Sequence, residues 1–415
     1  MAPAIASPQP PAPHDLPSKA DNKAAVDTSV FPDGIKTSGQ LDPVYERLHP
    51  YADFPKEISG PTHWKASDYD GRAETWSHVF SEQELADLSR AADEFAAAGE
   101  PLTGINPANF TLSEKFISDI LAMRNELLNG KGFILYKGFP VEQWGNHKSA
   151  IAYFGLGSYL GYPVSQNSRG HILGHVKDLG EDSTQIDKVR IYRTNARQYF
   201  HADDCDIVGL LCIARSMEGG ESDMASSHEI WNVLQKERPD VAELFTKPIW
   251  YFDRKGETSK GQQDWIKSSI FYLETAVNGR SQRVYSKYDP YFVRSLTRFS
   301  DKGLIPALSE EQKEAMDVLE DVCNRIRLHM ILEVGDIQFL HNGHILHART
   351  AYKDWAPGTK DENGKERPRR HLMRLWLATP EDEGGWRLPF DDSKEKKRGG
   401  IQVDDTPPVA RLDAD

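Results

Sequence analysis

Short apolar runs that end at turn residues fill the second half of the chain, and this pattern restricts the fold more than any other feature. The runs "DIVGLLCIAR", "IWYFD", "GDIQFLHN", "HILHARTAY" and "RRHLMRLWLA" have the length and composition of β-strands. The first half favours helices: "SEQELADLSRAADEFAAAGE" opens with a capping box at Ser81 and Glu84 and ends at a glycine. The sequence therefore predicts an α+β protein with a mainly β core, an antiparallel barrel or sandwich decorated with helices.

A further predicted helix, near residues 146–160, contains the glycine-rich stretch "GLGSYLG". Its spacing is G-x-G-x-x-x-G, and no ordered βαβ repeat surrounds it, so a dinucleotide-binding loop is disfavoured. Close packing of the helix against a neighbouring element explains these glycines better.

Composition restricts the partners and the compartment. No apolar run approaches the roughly 18–20 residues that a membrane span requires, and the formal net charge of −13 comes without a basic block suited to nucleic acid. Cys205, Cys212 and Cys323 are odd in number and lack CxxC spacing, which argues against a disulfide framework or a thiolate zinc site. We therefore predict a soluble, cytoplasmic protein that binds neither nucleic acid nor membranes. Its oligomeric state is left open, with a homo-oligomer among the alternatives.

Local composition divides the chain into three segments. Residues 1–45 are rich in proline and alanine and predict a disordered N-terminal extension. Residues 46–390 carry the periodic patterns and are expected to form a single domain, and residues 391–415 are expected to form a polar C-terminal tail. Both terminal segments are expected to be dispensable for the chemistry.

The stretch "YFHADDCDIV" places a histidine and a carboxylate two residues apart. On an extended strand, His201 and Asp203 share one face and could bind the same metal ion, while Asp204 points to the opposite side. The alternative is a solvated polar turn before a buried strand. A second histidine on a distant strand would favour the metal, since oxygen-activating iron(II) is held by two imidazoles and one carboxylate.

The stretch "FLHNGHILHART" offers three such histidines, His341, His344 and His347. Asn342-Gly343 is a turn signal and the following residues look extended, so we predict a β-hairpin with His347 in the middle of its second strand. His341 and His344 are then expected to be hydrogen-bonded turn residues.

Two arginines follow in "RRHLMRLWLA". On a strand, Arg370 and Arg374 share a face with Leu372. A buried guanidinium requires an anion, and its fork matches a carboxylate, although a surface strand with solvated arginines is the alternative. The glycines of "MEGGESDMASS" allow a tight turn, after which the hydroxyl of Ser222 could help bind the same anion.

Together, "FHAD", "GGES", "NGHILHAR" and "RRHLMR", in this order over residues 200–374, resemble the TauD/TfdA family of iron(II)- and 2-oxoglutarate-dependent dioxygenases, particularly its fungal clavaminate synthase-like branch. The resemblance spans about residues 75–380 and implies a double-stranded β-helix, or jelly roll. It implies that His201, Asp203 and His347 bind iron(II). It also implies that Arg370, with Ser222, binds the 2-oxoglutarate cosubstrate, while Arg374 contacts the cosubstrate or an acidic substrate.

The implied reaction couples decarboxylation of 2-oxoglutarate by O2, giving succinate and CO2, to hydroxylation, desaturation or cyclisation at a C–H bond. The substrate is expected to be a small amino-acid-like or acidic molecule, with Gln166, Asn167 and Arg193 as candidate contacts beside Arg374. The alternatives are a taurine-type dioxygenase that breaks down sulfonates or carboxylates, a non-catalytic jelly-roll metal-binding protein, and a zinc hydrolase with the same ligands.

Overall fold

The computed structural model describes residues 48–274, 282–387 and 399–414. The predicted N-terminal extension and residues 391–398 of the predicted tail lie outside the described residues. Within the described ranges, no helix is long and apolar enough to cross a membrane.

Helices are present at the two positions predicted above, residues 81–100 and near 146–160, and further helices lie at positions that were not predicted. The capping box at the first of them is confirmed: the Ser81 side chain accepts from the Glu84 amide, and the Glu84 carboxylate accepts from the Ser81 amide at 2.7 Å. The α-helices in the described part of the chain are α1 (Glu82–Ala98), α2 (Glu114–Asn129), α3 (Val141–Ser158), α4 (Ser227–Glu237), α5 (Pro239–Thr246), α6 (Pro290–Arg294), α7 (Thr297–Ser300) and α8 (Glu310–Ile326).

Strands dominate from residue 162 onward, as predicted. The strands in the described ranges are β1 (Ser77–Val79), β2 (Phe133–Lys137), β3 (Tyr162–Pro163), β4 (His171–Val176), β5 (Gln198–His201), β6 (Ile207–Ala214), β7 (Glu218–Gly219), β8 (Ser222–Ser226), β9 (Trp250–Asp253), β10 (Trp265–Ser268), β11 (Phe271–Glu274), β12 (Arg283–Ser286), β13 (Leu328–Met330), β14 (Ile337–His341), β15 (Ile345–Arg349), β16 (Tyr352–Lys353), β17 (His371–Ala378) and β18 (Val409–Ala410).

Two sheets form the core of the fold. The major sheet has the order β1-β2-β14-β6-β17-β4-β18, with β3 also paired to β17, and the minor sheet has the order β13-β8-β15-β5. Within both sheets the pairing is antiparallel, except for the parallel pairs β1–β2 and β18–β4. The strand order is far from the chain order, which is the topology of a jelly roll, and the predicted fold class is confirmed.

Strand β17 shows how the layers are held together. Leu372 and Trp376 pack into an apolar core between the sheets, together with Leu328 and Ile345 of the minor sheet. The alternate residues, including Met373, pack instead against the helices that cover the outer face of the major sheet. Because successive side chains of a strand point to opposite faces, one strand contributes to two cores.

The glycines of α3 lie where the helix meets its neighbours. A Cβ at Gly155 would lie 2.4 Å from the Phe110 ring, and one at Gly157 would lie 2.8 Å from Leu375 Cδ1. Close helix packing, as predicted for "GLGSYLG", is confirmed.

The predicted hairpin at Asn342-Gly343 is wrong. Strand β14 pairs with β2 and β6 in the major sheet, whereas β15 pairs with β5 and β8 in the minor sheet. The turn carries the chain from one sheet to the other. The Asn342 side chain contacts the segment after β5: its Oδ1 accepts from the Asp203 amide at 3.2 Å, and its Nδ2 donates to the Cys205 carbonyl at 3.1 Å.

His341 and His344 are fully buried and not simply turn residues. The ring of His344 stacks on Trp386 at 5.2 Å between centroids, and the ring of His341 lies 4.9 Å from the same indole. Hydrogen bonding explains part of this arrangement, since His341 Nδ1 accepts from the Gly343 amide at 3.2 Å. Ring packing explains the rest.

Candidate metal centre

Two strands of the minor sheet bring three potential metal ligands together. His201 ends β5, and His347 lies directly opposite it in the middle of β15. Asp203 is in the turn just after β5 rather than on the strand itself. One nitrogen or oxygen of each residue lies within 4.8 Å of those of the other two. Asp204, as predicted, points elsewhere and pairs with Lys287 at 3.0 Å.

Hydrogen bonds set which atoms of the cluster can coordinate a metal, and a metal ion would replace one of them, in which His201 Nε2 accepts from the Gln198 side-chain amide at 2.9 Å. His201 Nδ1 lies 2.9 Å from the Tyr199 carbonyl, so this nitrogen carries the proton and Nε2 keeps its lone pair. The Oδ2 atom of Asp203 is buried, and among the described residues it has no hydrogen-bond partner. A buried carboxylate oxygen is costly without a partner, and a cation beside it would compensate.

Burial and charge set the protonation states of the cluster. Burial raises the pKa of Asp203, but the Arg374 guanidinium and the two imidazoles lower it further, so the net shift is downward. Burial and the His201 ring lower the pKa of His347 to about 3. The carboxylate is therefore ionised and the imidazole neutral at physiological pH, which are the forms that coordinate metals.

Two imidazoles and one carboxylate on one side of a cavity form the donor set of non-haem iron(II) sites that leave other coordination positions open. His201 Nε2 and His347 Nε2 each lie 3.8 Å from a carboxylate oxygen of Asp203. The three residues thus fit a single iron ion.

The ligands open into a cavity between the two sheets. Three buried arginines contribute to its wall, Arg349, Arg370 and Arg374. The complete lining is Val176, Gln198, His201, Asp203, Leu210, Gly220, Ser222, Leu332, His347, Ala348, Arg349, Arg370, Leu372 and Arg374.

Arg370 is held from its backbone and its side chain. Its amide donates to Asp354 Oδ1 at 2.8 Å, and its Nη2 donates to the Gly220 carbonyl at 3.1 Å. Its Nη1 is buried and has no hydrogen-bond partner among the described residues. Ser222 lines the same cavity and donates to Gln338 Oε1 at 3.2 Å. A guanidinium with a spare donor is thus available to an anion in the cavity.

Arg374 lies between this pocket and the metal ligands. Its Nη1 is 3.5 Å from Asp203 Oδ1, and its Nε donates to Gln166 Oε1 at 2.8 Å. The guanidinium carbon lies 4.6 Å from the centre of the Tyr192 ring. The orientation of this arginine is therefore determined by an acid, an amide and an aromatic face.

The other predicted substrate contacts lie behind or beside the cavity. Gln166 is buried and bonds both the Nε and, at 2.8 Å, the carbonyl of Arg374, so it acts on the cavity through that arginine. Asn167 accepts from the Arg169 amide in a turn, and Arg193 pairs with Glu181 at 2.7 Å. None of the three lines the cavity, and their part in substrate binding stays a prediction.

A comparison with protein families identifies the fold. The model for "Taurine catabolism dioxygenase TauD, TfdA family" matches residues 98–376, well over half of the chain. The chain belongs to this family. The predicted resemblance is confirmed, and the protein is a dioxygenase of the TauD/TfdA family.

Similar proteins and structures agree with this assignment. The chain is 28% identical over 342 residues to FR-33289 synthase of Streptomyces rubellomurinus, covering 80% of this chain and 93% of that protein. It is 26% identical over 338 residues to the taurine hydroxylase-like protein SAT17 of Stachybotrys chartarum, covering 80% and 82%.

Among solved structures, asparagine oxygenase in complex with Fe(II), 3-hydroxyasparagine and succinate has a TM-score of 0.53 at 15% identity, covering 73% of this chain and 93% of that one. The non-heme iron oxygenase OrfP in complex with Fe, succinate and (3S)-hydroxy-L-Arg has a TM-score of 0.52 at 13% identity, covering 73% and 94%. These likenesses show the fold.

Sequence reasoning missed two cavity residues of this TauD/TfdA dioxygenase. Arg349 donates to the Thr194 carbonyl at 3.1 Å, and burial lowers its pKa to about 10. Its position two residues after His347 was the signal that could have revealed it. The Gln198 amide lies 2.9 Å from His201 Nε2, on the side of that ring where a metal would bind. No local pattern distinguishes this glutamine from any other strand residue.

Proposed function

We propose that this dioxygenase uses iron(II), 2-oxoglutarate and O2 to oxidise a C–H bond of a small amino-acid-like or acidic molecule, with release of succinate and CO2. The product is hydroxylated, desaturated or cyclised. The observation that carries the proposal is the meeting of His201, Asp203 and His347 with buried arginines in one cavity. Metal ligands or arginines alone would fit several functions, but the combination fits a metal-bound oxo acid.

Each residue has a part in this proposal. His201, Asp203 and His347 hold the iron ion, which with 2-oxoglutarate and O2 supplies the oxidising chemistry when bound. Arg370 binds the distal carboxylate of 2-oxoglutarate, and the Ser222 hydroxyl becomes a second donor by turning its one proton away from Gln338 Oε1. Arg374, fixed by Gln166, presents its charge between the cosubstrate pocket and the metal.

The charge of the cavity supports an acidic group on the substrate. Its lining contains three guanidinium groups and one carboxylate. When one arginine pairs with Asp203, the positive charges of the other two arginines still require anions. The two carboxylates of 2-oxoglutarate balance the iron ion or these arginines, but not both. The amino acids bound by asparagine oxygenase and OrfP provide further support for a small amino-acid-like substrate.

We also propose that the protein is located in the cytoplasm. The three cysteines are free and buried, and none forms a disulfide. A reducing compartment such as the cytoplasm fits these side chains.

The test is a screen of amino acids and of small carboxylates, sulfonates and phosphonates with purified protein, iron(II), ascorbate and 2-oxoglutarate, in which succinate is measured. We expect succinate to form faster with a true substrate and its formation to be lost in His201→Ala. His147→Ala, at an exposed position on α3, is the matched control and should keep full turnover.

Unchanged turnover in His201→Ala would refute the proposal. Failure of the wild-type protein to bind iron(II) with 2-oxoglutarate anaerobically would favour a non-catalytic jelly-roll protein. Stimulation by taurine or related sulfonates alone would identify a taurine-type enzyme.

A further inference from the structure

Residues 391–415 were expected from their composition to be a polar tail without a part in the chemistry. The C-terminal segment, residues 399–414, is the described part of this tail. In the structure it crosses the sheet edge beside the metal centre. Its strand β18 pairs with β4, which in turn pairs with β17, the strand that carries Arg374. The apolar side chain of Ile401 packs against the core between the two sheets.

The segment contacts the turn that carries the metal carboxylate. The Gly400 amide donates to the Asp204 carbonyl at 2.6 Å, one residue from Asp203. On the other side of this turn, the Asn342 side chain accepts from the Asp203 amide at 3.2 Å. The turn is thus held from two sides, and neither contact lies on the strand that precedes it.

The next residue of the segment contacts the loop that orients Arg374. The Ile401 amide donates to the Ser165 carbonyl at 2.7 Å. Ser165 is followed by Gln166, whose side chain bonds both the Nε and the carbonyl of Arg374. The backbone amides of Gly400 and Ile401 therefore link the turn that carries Asp203 to the loop that carries Gln166. Gln166 in turn orients Arg374, which faces Asp203.

The far end of the segment is fastened independently. The Val409 amide donates to the Gly170 carbonyl at 2.7 Å, and the Arg411 carbonyl accepts from His175 Nε2 at 2.9 Å. Lys177 pairs with Asp413 at 2.8 Å. These contacts keep the segment on the sheet and allow its first residues to act as a fixed support.

We propose that residues 399–401 are positioning residues of the metal centre: their backbone holds Asp203 and, through Gln166, Arg374 in the geometry that binds iron(II) tightly. This inference rests on the proposed function. Groups that orient metal ligands without touching the metal commonly change its affinity by 10–100-fold, so loss of this support should be visible in metal binding.

The chain offers a matched set of glycine variants for the test. Gly400 has φ +75°, and an added Cβ would lie 2.8 Å from Val164 Cβ and 2.9 Å from the Ser165 carbonyl oxygen. Gly400→Ala should therefore displace the segment at this point. Gly180 has nearly the same φ, +77°, and no atom within 4 Å of an added Cβ, so Gly180→Ala reproduces the backbone strain without the displacement.

Iron(II) is titrated anaerobically in the presence of 2-oxoglutarate, and the visible charge-transfer absorption reports the bound complex. The temperature is well below the melting transition, with folding checked by circular dichroism. We expect Gly400→Ala to raise the apparent Kd for iron(II) about tenfold and Gly180→Ala to leave it unchanged. If Gly400→Ala does not fold, Gly399→Ala is used as a milder variant. Its added Cβ would lie 3.1 Å from its nearest atom, the Asp204 carbonyl oxygen, compared with 2.8 Å at Gly400.

If the role of the segment is purely structural, Gly400→Ala will have a lower melting temperature but the same iron affinity as Gly180→Ala. This result would overturn the inference and leave the proposed function untouched. A wild-type protein that binds no iron(II) would instead refute the proposed function, and the inference with it. Equal weakening of iron binding in both variants would also refute it, since backbone strain alone would then explain the effect.

Discussion

Replacing Asp203 and its neighbour Asp204 by asparagine separates a metal ligand from a surface acid of the same type. The Asp203 carboxylate lies 3.8 Å from each ligand imidazole, and its side chain is 8% exposed. Asp204 pairs with Lys287 at 3.0 Å, with side chains 36% and 30% exposed. Asp203→Asn and Asp204→Asn are therefore the same chemical change in two different environments.

The magnitude follows from the coupling of metal binding to folding. At an iron(II) concentration about 100 times the Kd, binding stabilises the native wild-type protein by about 2.7 kcal/mol. If Asp203→Asn weakens binding by at least about 100-fold, the ion is near its Kd and contributes only about 0.4 kcal/mol. The metal-dependent part of the free energy of unfolding should thus fall by about 2.3 kcal/mol.

For Asp204→Asn the metal-dependent part should be unchanged. An exposed ion pair contributes about 0–1 kcal/mol, so the variant loses at most that amount with or without metal. The assay is urea unfolding in anaerobic buffer containing 2-oxoglutarate, at fixed iron(II) and in its absence. Equal loss of the metal-dependent stabilisation in the two variants would refute the assignment of Asp203 as the ligand carboxylate.

Three further predictions concern the support of the site and the core. Gln166→Leu leaves the Arg374 guanidinium without its buried acceptor and should cost about 2–3 kcal/mol in urea unfolding. Burial and a neighbouring histidine lower the pKa of His371 to about 4. The unfolded chain therefore binds a proton between about pH 6.5 and 4 that the native protein does not bind. The free energy of unfolding falls as pH falls through this range, by up to about 1.4 kcal/mol per pH unit. The difference in the free energy of unfolding between pH 4.5 and 7 should be smaller for His371→Phe than for the wild-type protein. Gly155→Ala should destabilise by about 1–3 kcal/mol by crowding α3, whereas Gly104→Ala, with no atom within 4 Å of the new Cβ, should show no such loss in thermal unfolding.

The features that the sequence predicted correctly depend on neighbouring residues. The capping box of α1 is closed between residues three apart, and the alternation of β17 follows from the two-residue period of any strand. His201 and Asp203 are two residues apart, so their meeting depends on local chain geometry, although Asp203 lies just after β5 and not on the strand as predicted. Short-range geometry is the same in every fold, and sequence reasoning can use it directly.

The tertiary structure decided what depends on pairing between distant strands. Asn342-Gly343 has the local signal of a hairpin, yet the flanking strands pair with distant strands of different sheets, and a local signal cannot specify those partners. In the same way, the bond between Gln166 and the Arg374 guanidinium joins residues 208 positions apart, and the sequence did not indicate it.

The C-terminal segment is the clearest case. Its composition is that of a polar tail, but the Gly400 amide bonds the carbonyl of a residue 196 positions earlier in the chain, beside the metal carboxylate. A backbone hydrogen bond leaves no trace in the identity of the side chains, so no sequence pattern could reveal this contact. The sequence by itself determined which side chains could bind iron and an oxo acid, and only the fold decided which parts of the chain hold them in place.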